Sequence, residues 1–214
     1  MRPFARSTET MLRVGLTGGY ATGKSFVAAE LEKHGCHLIY ADNVGHEVLA
    51  PTGEAYTPTV ALFGQGILAA DQTIDRKKLA SLVFGNPESL RQLSALIHPA
   101  VFRVEEALMK SLDETDPKGI VVVEAAILIE TGRYQDYDRL IVTTCSTEKQ
   151  IARGMKRDGL SREDVLQRIA RQMPIEEKKR LADYIVDTEG DKNETAAQVG
   201  DVYLNLASLA GQTT

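Results

Sequence analysis

Short, unbroken apolar runs alternate along this chain with longer stretches in which apolar residues recur every three or four positions. "MLRVGL" is a run of the first kind and stops at glycines, as a buried strand does. From Lys24 to His34 the period is helical, with Phe26, Val27 and Leu31 on one side and Gly35 as the stop. "CHLIY" reads as a second strand, and Asp42 follows at once. Gly45 to Leu112 reads as helical, with no convincing strand. Within it "ESLRQLSALI" places Leu90, Leu93, Leu96 and Ile97 at helix spacing. Asn86 and Pro87 supply the cap and first turn, and His98-Pro99 is expected to bend or break that helix.

The remainder continues the alternation. "GIVVVEAAILIE" predicts a strand running into an apolar loop, and "DRLIVTTC" a fourth strand. "TEKQIARGMKRDG" is a helix ended by Gly159. "SREDVLQRIARQM" opens with Ser161 and Asp164 at capping-box spacing. "DYIVDTEG" is a short fifth strand, and "NETAAQVGDVYLNLASLA" a closing amphipathic helix. Strands alternating with helices predict an α/β fold on a parallel sheet, with a helical insertion over about residues 43–112. There is no internal repeat and no low-complexity linker.

A length of 214 residues suits one domain, or one with an inserted subdomain. Hydrophobic residues at 43% and charged residues at 26% fit a globular core, and a net charge of −5 argues against bulk nucleic-acid binding. No apolar run approaches the ~20 residues of a membrane span. Cys36 and Cys145 match no metal or redox spacing and read as buried free thiols of a reducing compartment. Residues 1–10, "MRPFARSTET", lack the apolar core of a secretory signal and read as a flexible tail.

The chemistry is concentrated in "VGLTGGYATGKSF". Gly18, Gly23, Lys24 and Ser25 fit G-x-x-x-x-G-K-[ST], between an expected strand and an expected helix. Glycines let backbone N–H groups curl around phosphate oxygens, and the helix N-terminus adds its partial positive charge. In such a loop Lys24 reaches the β- and γ-phosphates, and the Ser25 hydroxyl binds Mg²⁺. Asp42 stands at the end of the second strand, where it could accept a proton from an acceptor hydroxyl, help order Mg²⁺, or simply cap the next helix. Lys149 to Arg180 carries ten basic residues against five acidic ones. Arg153 and Arg157 are four apart, hence on one helix face. Arginines brought over a nucleotide in this way would neutralise charge on a transferring phosphoryl group.

Several stretches together resemble the dephospho-coenzyme A kinase family: "GLTGGYATGKS", "ADNVGHEVL", "NPESLRQLSALIHPAVF", "EAAILIETG" and "RGMKRDGLSREDVLQRIARQMPIEEKKRLADYIVDTEG". The resemblance spans about Leu12 to Leu206. It implies a three-layer P-loop NTPase fold with a mainly five-stranded parallel sheet, a helical substrate subdomain and a helical lid at about residues 146–180. It also implies an ATP- and Mg²⁺-dependent kinase that phosphorylates the 3′-hydroxyl of dephospho-coenzyme A. Carried over by position, Asp42 matches the base, Lys24 and Ser25 the phosphate and Mg²⁺ ligands, and Arg153 a lid arginine. Gly18, Gly19, Ala21, Thr22, Gly23, Phe26 and Arg157 are then expected on the nucleotide, and Asp42, His46 and His98 on the acceptor. A cytoplasmic monomer or weak homo-oligomer, binding neither nucleic acid nor membrane, fits that picture.

The chain departs from the family at Ala21, where a third loop glycine is usual, and at Tyr40, Ala126 and Thr188. Ala21 is expected at negative φ, where alanine costs little. Thr188 stands where an asparagine is usual and could alter the adenine edge of the ATP site. Rivals at this point are a P-loop kinase acting on another nucleotide or small alcohol, and a GTP-binding switch. No N-K-x-D guanine-reading sequence supports the switch. A non-catalytic nucleotide-binding module is a third, disfavoured by Asp42 and the basic cluster.

Overall fold

The computed structural model describes residues 10–211; the expected tail, residues 1–10, lies outside them but for Thr10. The chain forms two compact units, Met1–Ile39 with Ser111–Thr214, and Tyr40–Lys110.

The first unit is built on a five-stranded parallel sheet. Its strands are β1 (Leu12–Gly18), β2 (His37–Tyr40), β3 (Ile120–Glu124), β4 (Arg139–Thr144) and β5 (Tyr184–Asp187), in the order β2-β3-β1-β4-β5. β1 is central. It pairs in parallel with β3 from Leu12↔Ile120 to Leu16↔Glu124, and with β4 from Val14↔Arg139 to Gly18↔Thr143. The middle strands are buried on both faces, with Leu16, Val122, Leu140 and Ile141 fully enclosed. That is why they read as unbroken apolar runs.

Helix α1 (Lys24–Lys33) follows β1 and ends at His34, with Gly35 at φ 98°, the left-handed stop expected of a glycine. The connection after β1 leads to β2 on one side, and that after β4 leads to β5 on the other. The crevice between the C-terminal ends of β1 and β4 is thus the switch point at which such sheets bind ligands.

The second unit holds α2 (Ala41–Val48), α3 (Tyr56–Phe63), α4 (Arg76–Val83) and most of α5 (Pro87–Thr115). Ile67, Ile74, Leu79 and Leu93 form its small core. The Asn86 carboxamide caps α5 by accepting from Ser89 N at 3.1 Å. Of the bend or break expected at His98-Pro99, the break does not occur: α5 runs through Pro99 for 29 residues. Proline removes one hydrogen bond there. The turns on either side keep theirs, and Leu93, Ala100, Val101 and Met109 bury a face on both sides of it.

Between β4 and β5 lie α6 (Thr147–Asp158), α7 (Arg162–Ala170) and α8 (Ile175–Leu181). Gly159 ends α6 at φ 66°. At the start of α7 the expected capping box is only half made. The Ser161 hydroxyl accepts from Asp164 N but donates to the Asp164 carboxylate, which therefore does not reach back to the cap's own N–H. Helix α9 (Lys192–Leu209) does carry a full box, between Asp191 and Glu194, and packs beside α1 with Tyr203 stacked on His34 at 4.8 Å.

Candidate active site

The loop between β1 and α1 is held at the β1–β4 crevice by close approach and hydroxyl contacts. A Cβ on Gly18 would lie 2.2 Å from Thr143 Oγ1 and 2.6 Å from both the Thr143 carbonyl and Thr22 Oγ1, so only glycine fits. Thr22 is fully buried, donates to Gly19 O at 2.9 Å and meets Thr143 Oγ1 at 2.7 Å. Gly19 packs on the buried Gln150 of α6. Gly23, at φ 87°, precedes α1 and places no side-chain cap on it. The N-cap thus offers no side-chain acceptor to the first turn, as suits a helix N-terminus that accommodates an anion.

Lys24 Nζ donates to Gly19 O at 3.1 Å and so folds back across the loop. Ser25 is exposed, one residue into the helix. Phe26 lies under Lys192, whose ammonium is 5.5 Å from the ring centroid.

Ala21 differs from its expected conformation. It sits at φ 56°, in the left-handed region, with its methyl group buried. The loop reverses within a few residues between the Gly19 carbonyl and the start of α1, and a positive φ at residue 21 completes that reversal. Alanine there costs roughly 1–2 kcal/mol relative to a right-handed conformation.

The two arginines of α6 are both engaged. Arg153 donates from Nη1 to Thr188 Oγ1 at 2.8 Å and from Nη2 to the Thr188 carbonyl at 2.8 Å. Nη1 also lies 3.5 Å from Ala21 O and 3.6 Å from Cys145 Sγ. Its charge is thereby fixed beside the loop. Arg157 lies on the loop residue Tyr20 instead, with its guanidinium 5.1 Å from the ring centroid, and Arg168 of α7 is 5.6 Å from the same ring. Asp158 gathers this group. It accepts from Arg157 Nε at 2.8 Å and from the Tyr20 hydroxyl, and Arg168 is 3.5 Å away. The hydrogen bonds from Arg157 and Tyr20 hold the Asp158 carboxyl far below the ordinary carboxylate range. Burial, then the bond to Asp158, pushes the Tyr20 phenol up. α6 accepts the tyrosine ring because position 154 is glycine, where a Cβ would stand 2.6 Å from Tyr20 Cε1.

Sequence reasoning passed over Lys178 within its basic run. The side chain is completely buried, bonded to Glu130 at 2.8 Å and directed at Ala126 O at 3.3 Å and Gly18 O at 3.4 Å. Glu130 also accepts from Met173 N, so one carboxylate ties the α7–α8 turn to the segment after β3. The signal was present: Ile175, Lys178 and Leu181 share a helix face, which puts a lysine on an apolar stripe. Thr188, after β5, is 2% exposed, with its hydroxyl bonded inward to Thr22 O at 2.9 Å.

Asp42, His46 and His98 belong to the second unit. Asp42 lies in the first turn of α2, two residues beyond β2, and is exposed. It does not cap that helix, which Tyr40 precedes. His46 Nε2 accepts from Arg76 Nη1 at 2.6 Å, since the guanidinium has only donors. Beside this pair is an open cavity of about 320 Å³ between Leu49, Pro51, Thr73 and Ile74. His98, half-buried, stacks on Phe102 at 5.8 Å.

A parallel α/β sheet with this loop at its switch point defines a P-loop nucleotide-binding protein. The family profile described as dephospho-CoA kinase matches residues 12–194. The dephospho-CoA kinase of Aquifex aeolicus is 41% identical over 92% of this chain and 98% of its own length. Among solved structures, TT1252 from Thermus thermophilus superposes with a TM-score of 0.78 at 30% identity, covering 92% of this chain and 97% of that one. The dephospho-CoA kinase from Campylobacter jejuni gives a TM-score of 0.63 at 26% identity, over 91% and 96% of the two chains. The chain belongs to the dephospho-CoA kinase family, ATP-using enzymes of the final step of coenzyme A biosynthesis. Among the described residues no helix is long and apolar enough to cross a membrane.

Proposed function

We propose that this chain transfers the γ-phosphoryl group of ATP to the ribose 3′-hydroxyl of dephospho-coenzyme A through the residues described above. The observation that carries the reading is the Gly18–Ser25 loop, seated at the β1–β4 crevice with the α1 N-terminus free of a side-chain cap. Backbone N–H groups of Gly19 to Ser25 bind the phosphates, and Lys24 exchanges its bond to Gly19 O for the β- and γ-phosphate oxygens. Arg153 offsets charge as it spreads over the transferring group, and Arg157 and Phe26 border the nucleotide. The segment 146–180 acts as the lid that keeps water, a competing acceptor, away.

On the acceptor side, Asp42 takes the proton of the 3′-hydroxyl as its oxygen bonds to the γ-phosphorus. The bond from that phosphorus to the β–γ bridging oxygen breaks, and ADP leaves. His46 and His98 hold the acceptor within the residue 43–112 subdomain.

The protein donors suit Mg²⁺. Among the described residues no cluster of three carboxylates, histidines or cysteines could cage a metal. The exposed Ser25 hydroxyl is an oxygen donor of the kind Mg²⁺ takes alongside its waters and phosphate oxygens. Held by the Ser25 hydroxyl, Mg²⁺ would supply positive charge to offset that of the triphosphate. The reading includes a cytoplasmic monomer or weak homo-oligomer, with Cys36 and Cys145 as free thiols.

The test is incubation with ATP, Mg²⁺ and dephospho-coenzyme A, followed by mass spectrometry of the small molecules. A product heavier by one phosphoryl group, absent with Lys24→Ala, is expected. Transfer to other alcohols but not to this one would overturn the substrate. Asp42→Asn should lower kcat by about 10²-fold or more with ATP binding retained, the scale of an acid–base group. An unchanged kcat removes Asp42 from the proton transfer.

A further inference from the structure

We infer that Thr188 is a positioning residue that braces the phosphate loop and aims Arg153. The inference rests on the nucleotide half of the proposed function, and it gives Thr188 a role apart from any contact with adenine.

Thr188 follows β5 and is 2% exposed. Its backbone is tied to the neighbouring strand through Thr188 N to Thr144 O at 2.8 Å. Its hydroxyl stands between three groups. It accepts from Arg153 Nη1 at 2.8 Å, and its single hydrogen points to Thr22 O at 2.9 Å, with Thr144 O at 3.2 Å beside it. The methyl group fills the other side, lying 3.3 Å from where a Cβ of Gly23 would stand. Thr188 therefore touches the loop at two of its last residues and holds the arginine that lies against a third, Ala21.

That stretch most needs a brace. Ala21 and Gly23 both have positive φ, and Ala21 pays for its conformation. The left-handed turn determines where the next N–H groups point, and those groups are what a phosphate would meet. A loop free to relax at Ala21 would fold equally well and bind phosphate less well. Arg153 depends on the same hydroxyl. Without it the guanidinium keeps the Thr188 carbonyl but loses the acceptor that fixes its rotation.

The chemistry separates hydroxyl from shape. Valine keeps the branched outline and removes the donor and acceptor together, leaving the buried Thr22 O without its donor and Arg153 Nη1 with only its longer contacts to Ala21 O and Cys145 Sγ. Serine keeps the hydroxyl and drops only the methyl group. Nucleotide binding is measured by calorimetry with ATP and Mg²⁺ on Thr188→Val, Thr188→Ser and the parent, each checked for a cooperative thermal transition. The expected result is an ATP Kd raised about tenfold in Thr188→Val, the scale of one unpaired buried polar group, and within about twofold of the parent in Thr188→Ser.

In an Arg153→Ala background the same valine change should cost less than it does in the parent, because the Thr188–Arg153 hydrogen bond is already gone and only Thr22 O loses its donor. A residue that only stabilised the fold would lower the melting temperature and leave the Kd of the folded protein alone. Equal ATP affinity in the valine and serine variants, or fully additive effects with Arg153→Ala, overturns the inference. If valine abolishes folding, Thr188→Ala takes its place with the same tenfold expectation against serine, and equality again overturns it. The readout is ATP binding and not turnover. A parent that binds ATP but does not phosphorylate dephospho-coenzyme A defeats the proposed function and leaves the brace standing.

Discussion

Ala21 shows how much one φ angle decides. The loop needs a left-handed residue there, and alanine supplies it at φ 56°. Ala21→Gly removes a steric cost of roughly 1–2 kcal/mol but frees the unfolded chain by up to about 1 kcal/mol. The balance is a gain of about 0.5–1 kcal/mol, read as a higher urea midpoint at unchanged slope. A lower midpoint would show that the buried methyl outweighs the strain. The motif could not disclose this, because its four intervening positions accept any residue and φ is set by how the chain must turn to reach α1. Lys24, Ser25 and Gly18 were legible because the chemistry demands those residue types. Thr188 was legible only as an oddity, since its partners Thr22, Thr144 and Arg153 lie from 35 to 166 residues away.

Among the elements, β1 to β5 were each visible as apolar runs, and α1, α6 and α9 as periodic segments with their stops. α5 was half legible. The Asn86 expected to cap it does so, whereas of the bend or break that Pro99 suggested the helix does not make the break. Local preference at residue 98 is outweighed by a helix whose apolar face is buried before and after the proline. The missing hydrogen bond remains a cost. Pro99 is exposed, so Pro99→Ala restores an N–H donor without altering a core contact. It should stabilise the protein by about 1–3 kcal/mol, less than the full penalty of an interior proline because α5 has already adjusted to it. An unchanged or lower denaturant midpoint would mean that the helix needs the bend the proline imposes. Strand order was not legible at all. The sequence shows five runs, but that β3 lies between β1 and β2 follows only from pairing across the sheet.

At the scale of the molecule, the two cysteines report on the unit that holds the phosphate loop. Cys36 and Cys145 both lie in that unit, 4% and 8% exposed. Burial pushes the Cys36 thiol up to about 12, and burial likewise raises Cys145 against the opposing pull of Arg153. A thiol with a raised pKa has little thiolate at pH 8, so alkylation waits for the protein to open. Cys145 touches Arg153 beside the loop, whereas Cys36 precedes β2 at the sheet's edge. ATP at about 100 times its Kd stabilises the bound form by about 2.7 kcal/mol and should slow every reaction that requires global opening by about 100-fold. Because both cysteines belong to the one compact unit built on the sheet, both should slow together, as followed by mass spectrometry of alkylated peptides. Protection of Cys145 alone would show that the loop opens locally while the sheet stays closed. Equal slowing would show that nucleotide bound at the β1–β4 crevice stabilises the sheet as one cooperative body.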